Sequence, residues 1–382
     1  MAQKILYLVS EDWFFVSHRL PMARAAKAAG YEVHVAARVG DCAEAIAREG
    51  FALHPIAWRR GNVNPLRLIV AVAETRRLYR RVRPDLVHHV ALQPVVIGSL
   101  AALGLRLRVL NAFTGLGFTY ASKTPRARLL RGIAGLFLGW LLTRRDSMVL
   151  VQNPDDRAVI VKFGVPLERI AMIGGSGVDV DAFTLLPEPA DSTATVAFVG
   201  RLLDHKGVRT LVRAHEILLE RGARSRLLLA GTPDPLNPTS ISADLLAAWG
   251  KILNLVLLGH VADVRDVWRQ AHIAVLPSRG GEGIPMSLLE AAACGRPLVA
   301  TDVAGCREVA RAGVTGLLVP PDDPAALADA IEMLAKDPAM RLRFGRAARQ
   351  LVSDEFSSTR IQREIVALYA RLLGGKPQPG SA

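Results

Sequence analysis

The chain has 382 residues, with 48 Lys and Arg against 35 Asp and Glu (net charge +13), and about half of it is apolar. That length serves two domains of ordinary size, and that composition excludes a disordered or low-complexity protein. Three cysteines, Cys42, Cys294 and Cys306, exclude a disulfide framework and have no zinc-ligand spacing; they read as buried thiols in a reducing compartment.

The first half alternates short apolar runs with helical patterns. Strands are predicted at 4–10, 31–38, 51–57, 85–90, 108–113, 147–153 and 170–174, and helices fit between several of them, as at 20–29 and 66–81. The start, MAQKILYLVSEDWFF, lacks a secretory cleavage site, and acids follow its apolar run at once. The stretch SEDWFFVSHRLP (10–21) reads as a loop after the first strand, with Ser17, His18 and Arg19 ahead of a helix starting near Pro21. In such a loop Arg19 or His18 reaches a phosphate, while Trp13, Phe14 and Phe15 form either core or an apolar edge near a lipid. His88 and His89 end the strand DLVHHV and, on a regular strand, point to opposite faces. Asn111, Thr114 and Gly115 follow another strand and suit an acceptor pocket.

The segment 122–145, SKTPRARLLRGIAGLFLGWLLTRR, has basic ends around an apolar middle. It reads either as a helix packed on its sheet or as one lying in a membrane interface, with Arg126, Arg128, Arg131, Arg144 and Arg145 near head groups. Its apolar run of ten residues falls short of the roughly 18–20 that span a bilayer. Charge is uneven: residues 1–190 carry 25 basic and 15 acidic side chains (+10), and 191–382 carry 23 and 20 (+3). Sparse aromatics and the lack of a recognition motif argue against nucleic acid as the partner and for an anionic membrane surface or a phosphorylated lipid.

The stretch 177–193, rich in Pro and acid, reads as an interdomain linker. Beyond it strands are predicted at 195–200, 226–231, 254–260, 273–278, 297–302 and 316–320, followed by helices at 324–335, 338–352 and 356–373. This strand–helix alternation predicts an α/β protein of two Rossmann-like domains, with parallel sheets facing across a cleft and ligands beyond the C-terminal strand ends.

Two stretches of the second domain carry the chemistry. In VGRLLDHKGV (199–208), Arg201 and Lys206 follow a strand end and Gly207 turns the chain into a helix; two cations there suit a diphosphate. In GGEGIPMSLLEAAACG (280–295), a glycine loop leads from a buried strand into a helix with Pro285 placed as its first residue. The helix N-terminus makes an anion site. Glu282 and Glu290 flank it, and carboxylates repel phosphate but accept from sugar hydroxyls. An anion site beside hydroxyl acceptors points to a nucleotide-sugar.

The run EGIPMSLLEAAACGRPLVATDVAGCREV, with Glu282 and Glu290 separated by seven residues, resembles the signature of the retaining glycosyltransferases of family 4, which have the GT-B fold. The resemblance spans nearly the whole chain and is strongest over 199–319. It implies that Glu282 lies near the donor sugar, that Glu290 accepts from the ribose hydroxyls and that Arg201 and Lys206 bind the diphosphate. Gly283, Ile284, Met286 and Ser287 then contact the donor, while Gly259, His260 and Val261 border the nucleobase. His88 corresponds to a histidine near donor sugar or acceptor. Relatives often carry a second histidine where this chain has Val90, and a glycine-rich loop where it has 10–21.

The segments EDWFFVSHR, DLVHHVALQPVVIGSLAA and LNAFTGLGF resemble bacterial enzymes of surface-polysaccharide assembly. That likeness implies transfer of a sugar, with UDP as the commoner nucleotide, to a lipid-linked or soluble glycan, above all one on a polyprenyl diphosphate. It further implies retention by front-face attack, no cofactor and no required metal, and a cytoplasmic protein peripheral to the inner face of the cell membrane. The expected domains are 1–180 for acceptor, 181–355 for donor, and 356–382 as a helix returning to the first domain, then a flexible tail. The rival readings are a GT-B nucleotide-sugar epimerase, acting without acceptor, and a non-catalytic nucleotide-sugar-binding protein.

Overall fold

The computed structural model describes residues 2–60, 64–116, 135–191, 193–235 and 237–374. The chain divides into two compact units, one of residues 1–176 with 358–382 and the other of 177–357.

The first unit holds seven parallel strands in the order β3-β2-β1-β4-β5-β6-β7. They are β1 (Lys4–Glu11), β2 (Glu32–Arg38), β3 (Ala52–Pro55), β4 (Leu86–Val90), β5 (Arg108–Ala112), β6 (Ser147–Val151) and β7 (Ile170–Met172). Alternate side chains feed the two faces. Ile5, Tyr7 and Val9 pack with Phe15, Met22 and the C-terminal helix Ser358–Leu373, whereas Leu6 and Leu8 pack under the helix Pro65–Val82.

The second unit holds six parallel strands in the order β10-β9-β8-β11-β12-β13. These are β8 (Ala194–Val199), β9 (Ser225–Ala230), β10 (Leu255–Gly259), β11 (Ile273–Leu276), β12 (Leu298–Thr301) and β13 (Gly316–Val319). One continuous core joins them to the helices Val208–Glu220, Met286–Ala293 and Pro324–Lys336. Both sheets are covered on two faces, so their strands read as unbroken apolar runs and every predicted strand is found within a residue or three of its expected ends.

One local expectation fails. Residues 10–21 are not a loop, because Asp12–His18 is helical. Asp12 is buried and its carboxylate accepts from Trp13 N at 2.7 Å, Gly40 N at 2.6 Å and Cys42 N at 3.1 Å. It thereby ties the first turn of its own helix to the turn after β2. Most of the 122–145 segment lies outside the described residues. No helix among the described residues is long and apolar enough to cross a membrane.

Candidate active site

In the second unit, the loops after β8 and β11 meet because Gly207 lets them. Gly207 has φ +74°, and a Cβ there would lie 1.8 Å from the Pro277 carbonyl oxygen. Only glycine fits such a contact in the left-handed region. The single turn Asp204–Lys206 is thereby laid against the end of β11, where Arg279 N donates to the His205 carbonyl at 2.9 Å. Lys206 Nζ then donates to both Glu282 carboxylate oxygens, at 2.6 and 2.8 Å, and Ser278 Oγ donates to Oε1 at 2.8 Å. Gly305 does the same work from the loop after β12, since a Cβ there would meet the Gly283 carbonyl oxygen at 1.5 Å. Glu282 is buried. Burial pushes its carboxyl up, but the Lys206 charge and the hydrogen bonds from Lys206 and Ser278 outweigh that and hold it below the usual range. It is ionised at neutral pH.

Arg201 follows the end of β8 and donates to Asp234 Oδ2 at 2.6 Å. Asp234 belongs to the proline-rich loop after β9, which is tied back to the same turn. Asp204 N donates to the Thr239 carbonyl at 2.7 Å, and Thr239 Oγ1 bonds His205 Nδ1 at 2.7 Å. Burial, and then the nearby Lys206 charge, lower the His205 pKa, so that ring is neutral at pH 7. Both cations expected at a diphosphate therefore hold carboxylates.

The helix Met286–Ala293 opens toward this cluster's loop. Pro285 is its N-cap, with φ −69° and ψ 120°, and not its first helical residue; no side chain caps the helix. The Pro285 carbonyl accepts from Leu288 N and Leu289 N, both at 3.2 Å, which leaves the Met286 and Ser287 N–H groups ahead of the intrahelical ladder. Gly283 and Ile284 are buried, while Met286 and Ser287 are half-buried.

Glu290 stands one turn along. It is partly exposed, and among the described residues its carboxylate has no hydrogen-bond or ion-pair partner. Burial pushes its pKa up to about 8. Gly259 closes β10, with its carbonyl accepting from Gly231 N at 2.7 Å; His260 is exposed and Val261 half-buried.

The first unit departs from expectation. His88 does not open onto a strand-end loop; it lies fully buried in mid-sheet under the C-terminal helix, with Nδ1 bonded to Tyr369 Oη at 2.7 Å. Tyr369 Oη in turn pairs with Tyr7 Oη at 2.8 Å. Interior burial forces His88 well below the ordinary imidazole pKa, and a neutral ring among aromatic side chains does not suit contact with donor sugar or acceptor.

His89 points to the opposite face and is equally buried, between Asn111 Oδ1 and Tyr79 Oη, each at 2.8 Å. Asn111 is therefore an interior residue. Arg19, expected to reach a phosphate, is 1% exposed because it joins two helices instead of sitting in a loop. It donates to the His18 carbonyl and Ser176 Oγ, both at 3.2 Å, and burial lowers its pKa to about 10.

Sequence reasoning missed four residues of the cluster: Ser278, His205, Asp234 and Thr239. Ser278 ends the apolar run before the glycine loop, and His205 directly precedes Lys206, so adjacency to a motif was their only signal. Asp234 and Thr239 sit in a loop whose partners are set by folding alone.

Residues 4–152 match the family described as glycosyl transferase 4-like, and residues 193–337 match the family described as glycosyl transferases group 1. EpsD of Bacillus subtilis (strain 168), described as a glycosyltransferase, is 26% identical over 97% of this chain and 97% of its own. The N,N'-diacetylbacillosaminyl-diphospho-undecaprenol alpha-1,3-N-acetylgalactosaminyltransferase of Campylobacter jejuni is 23% identical over 93% of this chain and 95% of its own. Among solved structures, Alr3699/HepE of Anabaena in complex with UDP and glucose superposes with a TM-score of 0.73 at 18% identity, covering 96% of this chain and 99% of its own. Sucrose-phosphate synthase of Thermosynechococcus elongatus gives 0.79 at 22% identity, covering 97% and 99%.

Proposed function

This chain is a glycosyltransferase of the GT-B fold, and from that premise we propose that it moves a sugar, with retention of configuration, from a UDP-sugar to a glycan carried on a polyprenyl diphosphate during surface-polysaccharide assembly. One observation carries the reading: Lys206, Glu282 and Ser278 form a closed polar cluster at the head of a helix whose Glu290 has no partner among the described residues. The name of the Campylobacter relative, a diphospho-undecaprenol glycosyltransferase, supports the acceptor class. The UDP bound to the Anabaena neighbour supports the donor class.

In this reading the diphosphate lies against Lys206, Arg201 and the Met286 and Ser287 N–H groups, which neutralise the charge that grows on the leaving group. The ribose hydroxyls donate to Glu290. Glu282, held ionised by Lys206, faces the donor sugar and accepts from its hydroxyls. The acceptor hydroxyl attacks the anomeric carbon on the face from which the diphosphate departs, and a departing phosphate oxygen takes its proton. A protein nucleophile has no part in this route. Gly259, His260 and Val261 border the nucleobase. Lys206, Arg201 and the helix N-terminus supply the positive charge, so metal has no assigned role.

The test is a donor screen by calorimetry with UDP-, GDP-, ADP- and dTDP-sugars, followed by NMR of the product's anomeric proton. Selective binding of a UDP-sugar, lost in Glu290→Ala, with a product of unchanged configuration, is the expected result. Inversion would overturn the mechanism, and binding of another nucleotide would overturn the donor class. Conversion of the donor to its epimer without acceptor would favour an epimerase.

A further inference from the structure

The helix Pro65–Val82 has two apolar faces. One is the expected core face, with Ala71, Leu78, Tyr79 and Val82 buried. The other lies in its first two turns, where Leu66, Ile69 and Val70 point outward and are 72%, 65% and 66% exposed. Their spacing of three and four residues makes one continuous ridge. A helix of a water-facing layer normally places polar side chains there. Nor is this a frayed end: Asn64 Oδ1 accepts from Leu66 N at 2.9 Å, and Pro65 takes the first helical position. The ridge is held in helical geometry while facing solvent.

Cations flank it. Arg59 and Arg67 are exposed and line a groove of about 290 Å³ beside the ridge, over the side chains of Trp58, Ala71 and Ile97. The acid in that groove, Glu74, accepts from Ala57 N at 2.9 Å. The ridge also has neighbours of its own kind in the same helical layer. The adjoining helix Leu92–Ala101 starts with Leu92, 41% exposed. Helical residues 135–142, over the same sheet face, turn Leu136, Phe137 and Trp140 outward at 78%, 42% and 52%.

We propose that the Leu66–Ile69–Val70 ridge, with Arg59 and Arg67 beside it, is the surface by which the first unit docks on an anionic lipid bilayer. This rests on the reading of the acceptor as lipid-linked, which requires the enzyme to work at a membrane. The chemistry favours a bilayer over a protein partner. The ridge offers small aliphatic side chains, without the central aromatic anchor of a protein hot spot. Its pattern of aliphatic side chains flanked by arginine is that of helices lying in the head-group region, where apolar side chains enter the acyl boundary and cations meet anionic heads. The excess charge of the first half has the matching sign.

The test is flotation of the full chain with vesicles of phosphatidylcholine alone and of phosphatidylcholine mixed with phosphatidylglycerol, at low and high salt, alongside calorimetry with a UDP-sugar. The wild type is expected to float with the mixed vesicles at low salt. The triple variant Leu66→Ser/Ile69→Ser/Val70→Ser should bind them about tenfold more weakly or worse. Arg59→Glu/Arg67→Glu should lose a similar factor at low salt alone. Both variants should keep the wild-type melting temperature and donor affinity. Flotation of the triple variant at the wild-type level would overturn the assignment, as would loss confined to Leu136→Ser/Trp140→Ser. A wild type that binds donor but no mixed vesicle would overturn the docking surface and leave glycosyl transfer standing. A wild type that floats but binds no donor would strike the active-site reading instead.

Discussion

Lys206 and Glu282 are 76 residues apart in sequence, yet the lysine ammonium touches both oxygens of the carboxylate, at 2.6 and 2.8 Å. Each group is costly to bury alone, and together they fix a charge pattern beside the helix that follows. Lys206→Met should lower turnover by at least about 100-fold, because the leaving diphosphate loses a cation. It should also destabilise the second unit by about 3 kcal/mol, because Glu282 is left buried without its counter-charge. Steady-state kinetics and urea unfolding check the two effects. The double variant Lys206→Met/Glu282→Gln should recover stability but not turnover.

Glu290 ties nucleotide binding to pH. Its carboxyl sits near 8 against an ordinary 4.5, so the folded chain holds the proton more tightly than the unfolded one. Stability from this group is present below pH 4.5 and is lost as pH rises through about 8. Hydroxyls that donate to the carboxylate favour its ionised form, so UDP binding near pH 7 should release a proton. Calorimetry in buffers of different ionisation enthalpy should detect that release. Glu290→Gln should abolish it and flatten the stability profile between these pH values.

In the proposed site Asp234 and the diphosphate share Arg201. Asp234→Asn removes the charge at 2.6 Å from the guanidinium and should tighten UDP binding by about three- to tenfold, since an exposed-to-half-buried ion pair is worth about 1 kcal/mol. Titration calorimetry at constant salt checks it; weaker binding would mean that Asp234 positions Arg201 and does not mask it.

Chelation separates cation from metal chemistry. Among the described residues, no three His, Cys, Asp or Glu side chains gather in an arrangement for a metal ion. In the proposed route Lys206, Arg201 and the helix N-terminus meet the diphosphate charge, so glycosyl transfer should keep its rate after dialysis against EDTA, measured with a UDP-sugar and an extracted lipid-linked acceptor. A rate restored only by added divalent ion would assign the diphosphate a different partner.

Tyr369 binds the last helix to the first sheet. Tyr369→Phe removes the hydroxyl that joins His88 Nδ1 and Tyr7 Oη and should cost about 1–3 kcal/mol, as two buried polar groups lose a partner. Urea unfolding followed by tryptophan fluorescence checks it.

The parallel strands were legible because burial on both faces writes each as an apolar run between turn signals, as in IAVLPS and TVAFVG. The glycine loop and its helix were legible because their turn signals are local, although Pro285 proves to be the N-cap of the helix and the contact of Gly207 with Pro277 is made across the fold. Pairings across the fold were not. Period-two alternation puts His88 and His89 on opposite faces but cannot tell which face receives Tyr369, 281 residues away. Arg19 was misplaced for a related reason. Whether 10–21 is loop or helix depends on Asp12 meeting the backbone of Gly40 and Cys42, across the sheet edge.

The C-terminal helix also fixes an order of events during synthesis. Ile361, Ile365, Leu368 and Tyr369 belong to the core of the first unit, though the entire second unit is translated before them. At ribosomal speed the sheet of β1 to β7 waits on the order of 10–40 s with one apolar face only partly covered. The second unit, contiguous from Gly177 to Ser357, can close first. A nascent chain stopped before Ser358 thus carries one complete unit and one whose core still lacks Ile361, Ile365, Leu368 and Tyr369, and the last sixteen helical residues complete it.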